Sequence, residues 1–426
     1  MSSSNQPSPG EAIFPLLRGR ALLVIILLVA VNAANFIDRQ LPFILIESIK
    51  RDLRLTDGQV GLMAGLGFAV VFSCSALILA RVADRWSERH MVALTLGVWS
   101  LMTTLSGLAN SFGAMFAARL GVAASEAGCN PAAHAYIARA FAPDRRAFIL
   151  ALFSLGVPIG SMTGLVLGGW INDAFGWRTA FLLVGTPGLL LAIAAWLAMP
   201  SLPRPTEGVQ DTGMLMGFRL LFGMRTFRHM AAGCGLYACG SYAMNVFASA
   251  FLIRIHGLSA AQAGLGFGIT FGVGGLVGTL LGGLLADTLG KRAPRWRLLI
   301  PAVGQLLSLP TLAAAWLVSD ALASIVLIGF GYAFGLLFFA PTFAVAQSLA
   351  PDHMRASASA LLGFCLTLAG ASIGPTVVGW ASDWLRPTYG VESLRYALSL
   401  MSITIMLSAW QFVAASRHAA RDLARS

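Results

Sequence analysis

Four charged residues lie inside long apolar segments of the sequence, and their types suit proton exchange and anion binding. Asp38 and Arg39 are adjacent in one segment, and Arg119 and Glu126 are seven residues apart in another. Seven residues make nearly two helical turns, so Arg119 and Glu126 share a helix face. Charges at this depth are costly and are functional candidates by default. The pattern predicts Asp38 and Glu126 as proton-coupling residues and Arg39 and Arg119 as substrate-binding residues. A static neutral network that orders helix packing is the alternative.

The segments that carry these charges are typical of a membrane protein. The 426 residues are 57% hydrophobic and 11% charged, whereas a soluble domain carries about 25% charged residues. This composition excludes a water-soluble protein and a disordered chain. A membrane-spanning helix needs about 20 mostly apolar residues. The predicted spans are 21–46, 59–80, 91–109, 112–138, 148–171, 178–199, 229–253, 262–285, 298–318, 321–349, 356–380 and 394–416.

An internal repeat divides the twelve predicted spans into two halves. The sequence LTDGQVGL at 55–62 matches LSAAQAGL at 258–265, and APDRRA at 142–147 matches APDHMRA at 350–356. Duplicated halves are typical of transporters. The predicted fold is therefore all-α, with two pseudo-symmetric six-helix bundles. The predicted organisation is an N-terminal tail at 1–20, bundles at 21–199 and 229–416, a linker with an amphipathic segment at 200–228, and a tail at 417–426.

The positive charges predict the orientation of the chain in the membrane. Twenty of the 29 Lys and Arg residues fall in the loops and tails on one side of the predicted spans, and seven fall on the other. The positive-inside rule makes the richer side cytoplasmic, together with both termini. The first apolar run is too long for a secretory signal. We expect a monomer in a bacterial inner membrane, in contact with lipids and not with nucleic acid.

A loop motif resembles that of the major facilitator superfamily, roughly G-x-L-A-D-R-x-G-R-K. It occurs at Ala80–Arg89, where it departs at Ala80, Ser87 and Glu88, and more closely at Gly283–Arg292. The resemblance implies a cytoplasmic gate formed by these loops and by the duplicated loops at 142–147 and 350–356. The residues expected in this gate are Asp84, Arg85, Arg89, Asp144, Arg146, Asp287, Lys291, Arg292 and Arg355.

Two further segments resemble the Spinster branch of that superfamily. These are NFIDRQ at 35–40 and RLGVAASEAG at 119–128. The branch's vertebrate members carry lysophospholipids or sphingosine-1-phosphate. Anion–proton symporters of the superfamily carry a similar charge set. The superfamily's first, fourth, seventh and tenth helices line a central cavity, which implies four further substrate-binding residues. These are Tyr237, Tyr242, Asn245 and Tyr332.

The sequence thus predicts a proton-coupled secondary transporter that works by alternating access. The favoured substrate is a lysophospholipid or a similar amphipathic anion, because a polar charged wall would face an aromatic one. The alternative substrate is a small organic anion of the sugar-acid type, carried with protons. A receptor that does not transport is a third possibility. The chain shows no metal or nucleophile constellation, so we expect neither an enzyme nor a cofactor, with the proton as the coupling ion.

Overall fold

The computed structural model describes residues 19–83, 86–202, 214–351 and 354–423. Within these ranges the chain is helical and contains no β-strand. The described residues form two compact units, of which the first comprises those within 1–48 and 71–208 and the second comprises those within 49–70 and 209–426. Residues 49–70 therefore belong to the second unit although their neighbours on both sides belong to the first.

The first unit contains most of α1 and α3 and all of α4 to α9. In chain order, the helices before the linker are α1 (Ala21–Leu53), α2 (Asp57–Gly61), α3 (Phe68–Ala83), α4 (Glu88–Gly107), α5 (Phe112–Glu126), α6 (Cys129–Ala140), α7 (Pro143–Ser154), α8 (Gly156–Phe175) and α9 (Trp177–Ala198), of which α2 belongs to the second unit. Helix α4 packs against α5 and α9. Helix α8 approaches α1 closely, because a Cβ atom at Gly160 would lie 2.3 Å from the carbonyl oxygen of Ala33. This close approach fixes the position of α1, which carries Asp38 and Arg39.

The second unit contains α2, a π-helical turn at Leu62–Gly67 and all helices after the linker. The helices after the linker are α10 (Met214–Gly223), α11 (Arg225–His256), α12 (Ala260–Gly290), α13 (Trp296–Leu317), α14 (Ala321–Gly335), α15 (Phe339–Ser348), α16 (Arg355–Tyr389), α17 (Ser393–Ser399) and α18 (Met401–Leu423). Helix α11 packs against α16 and α18, and α13 packs against α14 and α18. The core of this unit is rich in aromatic rings, including Phe227, Phe338 and Phe412.

Each predicted span coincides with one helix or with one interrupted helix. Nine helical stretches of the described residues are long and apolar enough to cross a membrane by length and composition. One of them, 357–419, is 63 residues long, about three times the length that a span requires. It contains the last two predicted spans. Predicted spans 3 and 4 are not among these nine stretches. They carry the hydroxyl and charged side chains described below.

The first of the repeated sequences forms the same local structure twice. The hydroxyl of Thr56 accepts a hydrogen bond from the backbone N–H of Gln59, and the Gln59 side chain accepts from the backbone of Thr56. Ser259 and Gln262 form the same reciprocal pair at the start of α12. Both are capping boxes, which satisfy backbone donors at a helix N-terminus. The repeat therefore marks two equivalent helix starts.

Two predicted spans are interrupted at corresponding positions. Span 4 is expected as one helix over 112–138, but the structure divides it between Glu126 and Cys129. Span 10 is likewise divided by a 3-10 turn at Leu336–Phe338. Pro131 and Pro341 follow these breaks, and their separation of 210 residues is close to the separations of 203 and 208 residues between the matching segments of the repeat. Proline has no N–H to donate to the carbonyl four residues earlier, so each helix is weakened just before it.

Candidate functional site

The four charged residues predicted from the sequence meet in the first unit as two ion pairs. Asp38 Oδ1 lies 3.3 Å from Arg119 Nη1, and Glu126 Oε2 lies 2.8 Å from Arg39 Nε. The carboxylates are buried, with 2% of the Asp38 side chain and none of the Glu126 side chain exposed. Charges this far from water need partners. The two pairs supply them and leave the centre neutral.

Thr103 is a member of this centre that is not predicted from the sequence. Its hydroxyl donates a hydrogen bond of 2.6 Å to Asp38 Oδ1, and the bond is buried. Thr103 lies on α4 among other buried hydroxyl residues, Thr95, Ser100 and Ser106. The same carboxylate oxygen therefore receives hydrogen bonds from Arg119 and Thr103. The two donors hold the Asp38 side chain by one oxygen only.

The second oxygen of each carboxylate is buried without a hydrogen-bond partner among the described residues. These atoms are Asp38 Oδ2 and Glu126 Oε1. A buried carboxylate oxygen without a donor is unfavourable, because the charge on it has lost water and gained nothing. A proton added at either atom would remove part of that charge and break no hydrogen bond. This is the geometry of a proton acceptor.

Arg39 is held by aromatic rings as well as by Glu126. Its guanidinium carbon lies 5.5 Å from the ring centroid of Phe36 and 5.0 Å from that of Phe72. Cations at these distances are attracted to the face of a ring. About a quarter of the Arg39 side chain is exposed, more than of the other three charged residues. Of the two arginines, Arg39 is therefore the more exposed.

The interruption of span 4 positions Glu126. Helix α5 ends at this residue, and the chain turns through Ala127 and Gly128 before α6 begins. Interrupted helices in corresponding positions of two repeats are a sequence pointer to a transporter's binding site. Glu126 lies at such an interruption, and Arg119 lies seven residues earlier on α5.

Buried amides on α1 extend the polar character of this centre. Asn32 donates a 2.7 Å hydrogen bond to the carbonyl of Phe153. Asn35 is 1% exposed, and neither polar atom of its side chain has a hydrogen-bond partner among the described residues. Neither asparagine is predicted from the sequence as a site residue. The sequence feature that could have identified Asn35 is its spacing, since it lies one helical turn before Asp38.

The four residues predicted in the second half lie in the second unit. Tyr237 and Tyr332 are buried, and their rings pack 4.8 Å from Phe338 and 4.9 Å from Phe271. Asn245 is partly buried, and its Oδ1 atom has no hydrogen-bond partner in the part of the chain that the structure describes. Tyr242 is also partly buried. Their role in binding stays a prediction.

The predicted gate residues have varied surroundings. Asp84 and Arg85 lie outside the described residues. Arg89 donates to the carbonyl of Met199 at 3.4 Å, and Arg146 donates to that of Phe141 at 2.9 Å. The exposed residues of the set are Asp144, Asp287, Lys291, Arg292 and Arg355.

Beside the loop motif at Ala80–Arg89, the structure contains an ion pair that is not predicted from the sequence. Arg139, in the last turn of α6, pairs with Glu88 at the start of α4. Glu88 is one of the positions where the loop motif departs from its usual pattern. A carboxylate at this position near the N-terminus of α4 also suits the helix dipole. At Glu88, therefore, the residue that departs from the loop motif is the one that pairs with Arg139.

Comparison with known proteins gives one family and several relatives. Residues 28–375 match the family described as the Major Facilitator Superfamily. A protein of Mycolicibacterium smegmatis named MFS-type efflux pump is 36% identical over 391 residues, which cover 91% of this chain and 90% of that protein. Mouse protein spinster homolog 1 is 27% identical over 201 residues, which cover 46% of this chain and 37% of that protein.

A solved structure agrees with this chain in fold. It is that of a bacterial homologue of the human lysosomal transporter Spinster, in an inward-facing and unoccupied conformation. The TM-score is 0.86 and the sequence identity is 25%, and the match covers 94% of this chain and 98% of that chain.

Proposed function

Because the chain belongs to the major facilitator superfamily, we propose that it is a proton-coupled carrier of an amphipathic anion that works by alternating access. Its family, fold and relatives are those of membrane transporters and not of enzymes. The predicted resemblance to Spinster proteins is confirmed by the mouse relative and by the bacterial structure. The proton and the substrate are the parts that we propose.

The observation that carries the proposal is the pair of half-bonded carboxylates in the first unit. Asp38 and Glu126 are buried, each is paired with an arginine through one oxygen, and the other oxygen has no partner among the described residues. In our proposal a proton from one side of the membrane binds Asp38 at Oδ2. The hydrogen bond from Thr103 to Oδ1 remains in place. The neutral acid then attracts Arg119 less strongly.

Arg119 is the residue that connects the proton to the substrate. With Asp38 neutral, the guanidinium is a buried cation that has lost the charge of its ion-pair partner, which is unfavourable until another anion arrives. An anionic head group supplies that charge. When the anion leaves, Asp38 loses its proton and pairs with Arg119 again. Arg39 and Glu126 form a second pair with the same chemistry, in which Glu126 tunes the centre or relays a second proton.

An amphipathic substrate suits the distribution of charge between the two units. The paired arginines belong to the first unit, whereas the substrate-binding residues expected in the second unit are Tyr237, Tyr242, Tyr332 and Asn245. Apolar area gains about 25 cal/mol per Å² when it leaves water, so an acyl chain gains most from such surroundings. Against this, Asn35 and Asn245 have polar atoms without partners among the described residues. That observation favours the alternative, a small organic anion with hydroxyl groups.

The test is transport by the purified protein in proteoliposomes with an imposed pH gradient. Labelled lysophospholipids of decreasing acyl length and a short hydroxy acid are compared as substrates. We expect the pH gradient to drive transport and the affinity to fall steadily as the acyl chain shortens. Tight binding of the short acid, with no dependence on chain length, would reject the lipid in favour of the small anion.

The role of the proton is tested in the same vesicles with Asp38→Asn. This variant keeps the acceptor for Thr103 and removes the site of protonation, so the pH gradient should no longer stimulate transport. The matched control is Glu392→Gln, since Glu392 pairs with Arg395 at 3.0 Å but is partly exposed. The control should respond to pH as the wild type does. Full stimulation in Asp38→Asn would reject Asp38 as the coupling residue.

We further propose the cellular setting that the sequence predicts. The chain is an integral membrane protein of apolar helices with the superfamily's fold. The excess of Lys and Arg on one side supports a bacterial plasma membrane with both termini in the cytoplasm. Labelling of single cysteines in the tails of intact cells tests the orientation, and labelling from outside would contradict it.

A further inference from the structure

A second buried carboxylate, Asp57, lies in the second unit and has no part in the proposed proton chemistry. It is the first residue of α2 and is fully buried. Arg254 Nη1 and Nη2 bind its two oxygens at 2.8 Å each, which is a bidentate ion pair. Lys50 pairs with the same carboxylate, and the Ser382 hydroxyl donates to it at 2.7 Å. We call these four residues the Asp57 cluster.

The backbone at the start of α2 is held by a second acid. Asp383 accepts hydrogen bonds from the backbone N–H of Asp57 at 3.0 Å and from that of Gly58 at 2.7 Å. These are backbone donors that a helix N-terminus leaves unsatisfied. A carboxylate at this end is also favoured by the helix dipole. Side chains from α11 and α16 thus bind both the side chain and the backbone of Asp57.

The contact continues along α16 into the π-helical turn. The hydroxyl of Thr376 accepts from the backbone N–H of Leu66, and its single proton is shared between the carbonyl oxygens of Ser372 at 2.7 Å and Gly61 at 3.2 Å. A Cβ atom at Gly61 would lie 2.4 Å from the carbonyl oxygen of Pro375, so only glycine permits this approach. A π-turn inside a helix leaves backbone groups out of the regular pattern. Here Thr376 binds two of them.

The sequence repeat shows that this cluster is absent from the equivalent helix start. Thr56 and Gln59 correspond to Ser259 and Gln262, and both pairs form capping boxes. Between them, however, Asp57 corresponds to Ala260. Such a helix therefore starts without a carboxylate at this position. The charge at Asp57 must have another use.

We propose that the Asp57 cluster is a conformational lock that holds residues 49–70 on α11 and α16 and must open during transport. Residues 49–70 continue at both ends into the first unit, and by sequence they belong to the first predicted bundle. Alternating access requires that bundle to move against the second. The contacts of Asp57 then break, and two cations and one anion become exposed to water, which solvates them. The inference rests on the alternating-access part of the proposed function and on neither the proton nor the substrate.

The experiment measures a distance across the cluster by double electron–electron resonance. Spin labels are attached at Arg51→Cys and Thr388→Cys, which are exposed positions on α1 and α16, after the five native cysteines have been replaced. Wild type should show mainly one short distance. Asp57→Asn should raise the ratio of long to short distances about tenfold or more, because it removes the anion from a buried ion pair.

Two further variants separate a lock from a merely structural ion pair. Ser382→Ala removes one hydrogen bond and leaves the ion pairs, so it should raise the ratio less, about fivefold, and it keeps the test valid if Asp57→Asn does not fold. The control is Asp320→Asn, which removes the acid that caps α14 through Ala323 at 2.7 Å. It should leave the distances unchanged.

The wild type is also measured at acidic and neutral pH and with added lysophospholipid. If the wild-type distances respond but neither Asp57→Asn nor Ser382→Ala shifts them, the lock is rejected and alternating access stands. If no variant and no condition yields a second distance, the movement itself is absent at this end of the helices. That result would overturn the lock together with the alternating-access proposal.

Discussion

Two buried aspartates, one in each unit, are bonded in opposite ways. Asp57 receives hydrogen bonds or ion pairs on both oxygens, from Arg254, Lys50 and Ser382. Asp38 is held through Oδ1 alone, and its Oδ2 has no partner in the described part of the chain. A fully bonded carboxylate has no place for a proton without losing a bond. A half-bonded one does, so the first is suited to holding a structure and the second to exchanging a proton.

The interrupted spans show a related contrast. The break in span 4 has Glu126 beside it and Arg119 two turns earlier, whereas the break in span 10 has Tyr332 and aromatic neighbours. The two breaks share a cause, because a proline follows each of them at corresponding positions. Duplication has thus kept the backbone feature, and the two copies differ in the chemistry of their side chains.

The largest effect on stability is expected from Asp57→Ala. It leaves Lys50 and Arg254 without their shared anion in a buried place, and breaking a buried pair costs about 3–5 kcal/mol. Asp38→Asn should cost less, because it removes the anion from one cation, Arg119, and not from two, and because the amide oxygen still accepts from Thr103. Thermal unfolding in detergent compares the two variants, with Asp320→Ala as a control that loses only a helix cap, about 1 kcal/mol. Equal losses in Asp57→Ala and Asp38→Asn would remove the distinction between the two aspartates.

Arg119→Ala should have the next largest effect, on binding. The proposal gives Arg119 the anionic head group, and loss of one partner of a buried charge pair costs about 2 kcal/mol or more. Binding should therefore weaken for lysophospholipids of every chain length by a similar factor. Isothermal titration of the purified protein measures the affinity for each lysophospholipid. A loss that depends on chain length would show that Arg119 does not bind the head group.

Thr103→Val should have an intermediate effect, because it removes one donor from Asp38 without changing the size of the side chain. A hydrogen bond to a charged group contributes about 1.5 kcal/mol. We expect the pH at which transport is half-maximal to move, while Thr103→Ser restores it. Thr104→Val is the neighbouring control, since Thr104 donates to the carbonyl of Ser100 within its own helix. The same pH profile in both valine variants would exclude Thr103 from the centre.

Phe72→Leu should have the smallest effect. The ring lies under the guanidinium of Arg39, and such a contact is worth about 0.5–1 kcal/mol. The apparent KM for an anionic substrate should rise about two- to fivefold, with little change in kcat. Phe116→Leu is the control, because Phe116 packs only against Phe112 among the ring contacts that the structure describes. An equal change in both variants would assign the effect to general packing.

The apolar runs and the charges within them could be predicted from the sequence, because both depend on the cost of polar groups in a membrane. That cost makes Asp38, Arg39, Arg119 and Glu126 stand out, and the structure brings all four together. Thr103 could not be predicted in the same way. A threonine in a helix can satisfy its hydroxyl with a carbonyl of its own helix, as Thr104 does, so the sequence alone does not show which threonine reaches a partner.

The role of Asp57 could not be predicted from the sequence for a different reason. It lies between the first two predicted spans, near Lys50, Arg51 and Arg54, where a charged residue is usually solvated. Its decisive partner Arg254 is 197 positions away, and Ser382 is 325 positions away. Pairings over such separations depend on the tertiary fold and leave no local pattern. The repeat gives one hint, since Asp57 stands where the second copy has Ala260.

The central claim is that the half-bonded acids of the first unit exchange protons as the substrate moves. It is tested most directly by counting protons with a pH-sensitive dye sealed inside proteoliposomes while substrate is added outside. Wild type should move protons with the substrate, and Asp38→Asn should move none, whereas Glu392→Gln should behave as wild type. Substrate transport by the wild type without any proton movement, or unchanged proton movement in Asp38→Asn, would contradict the account.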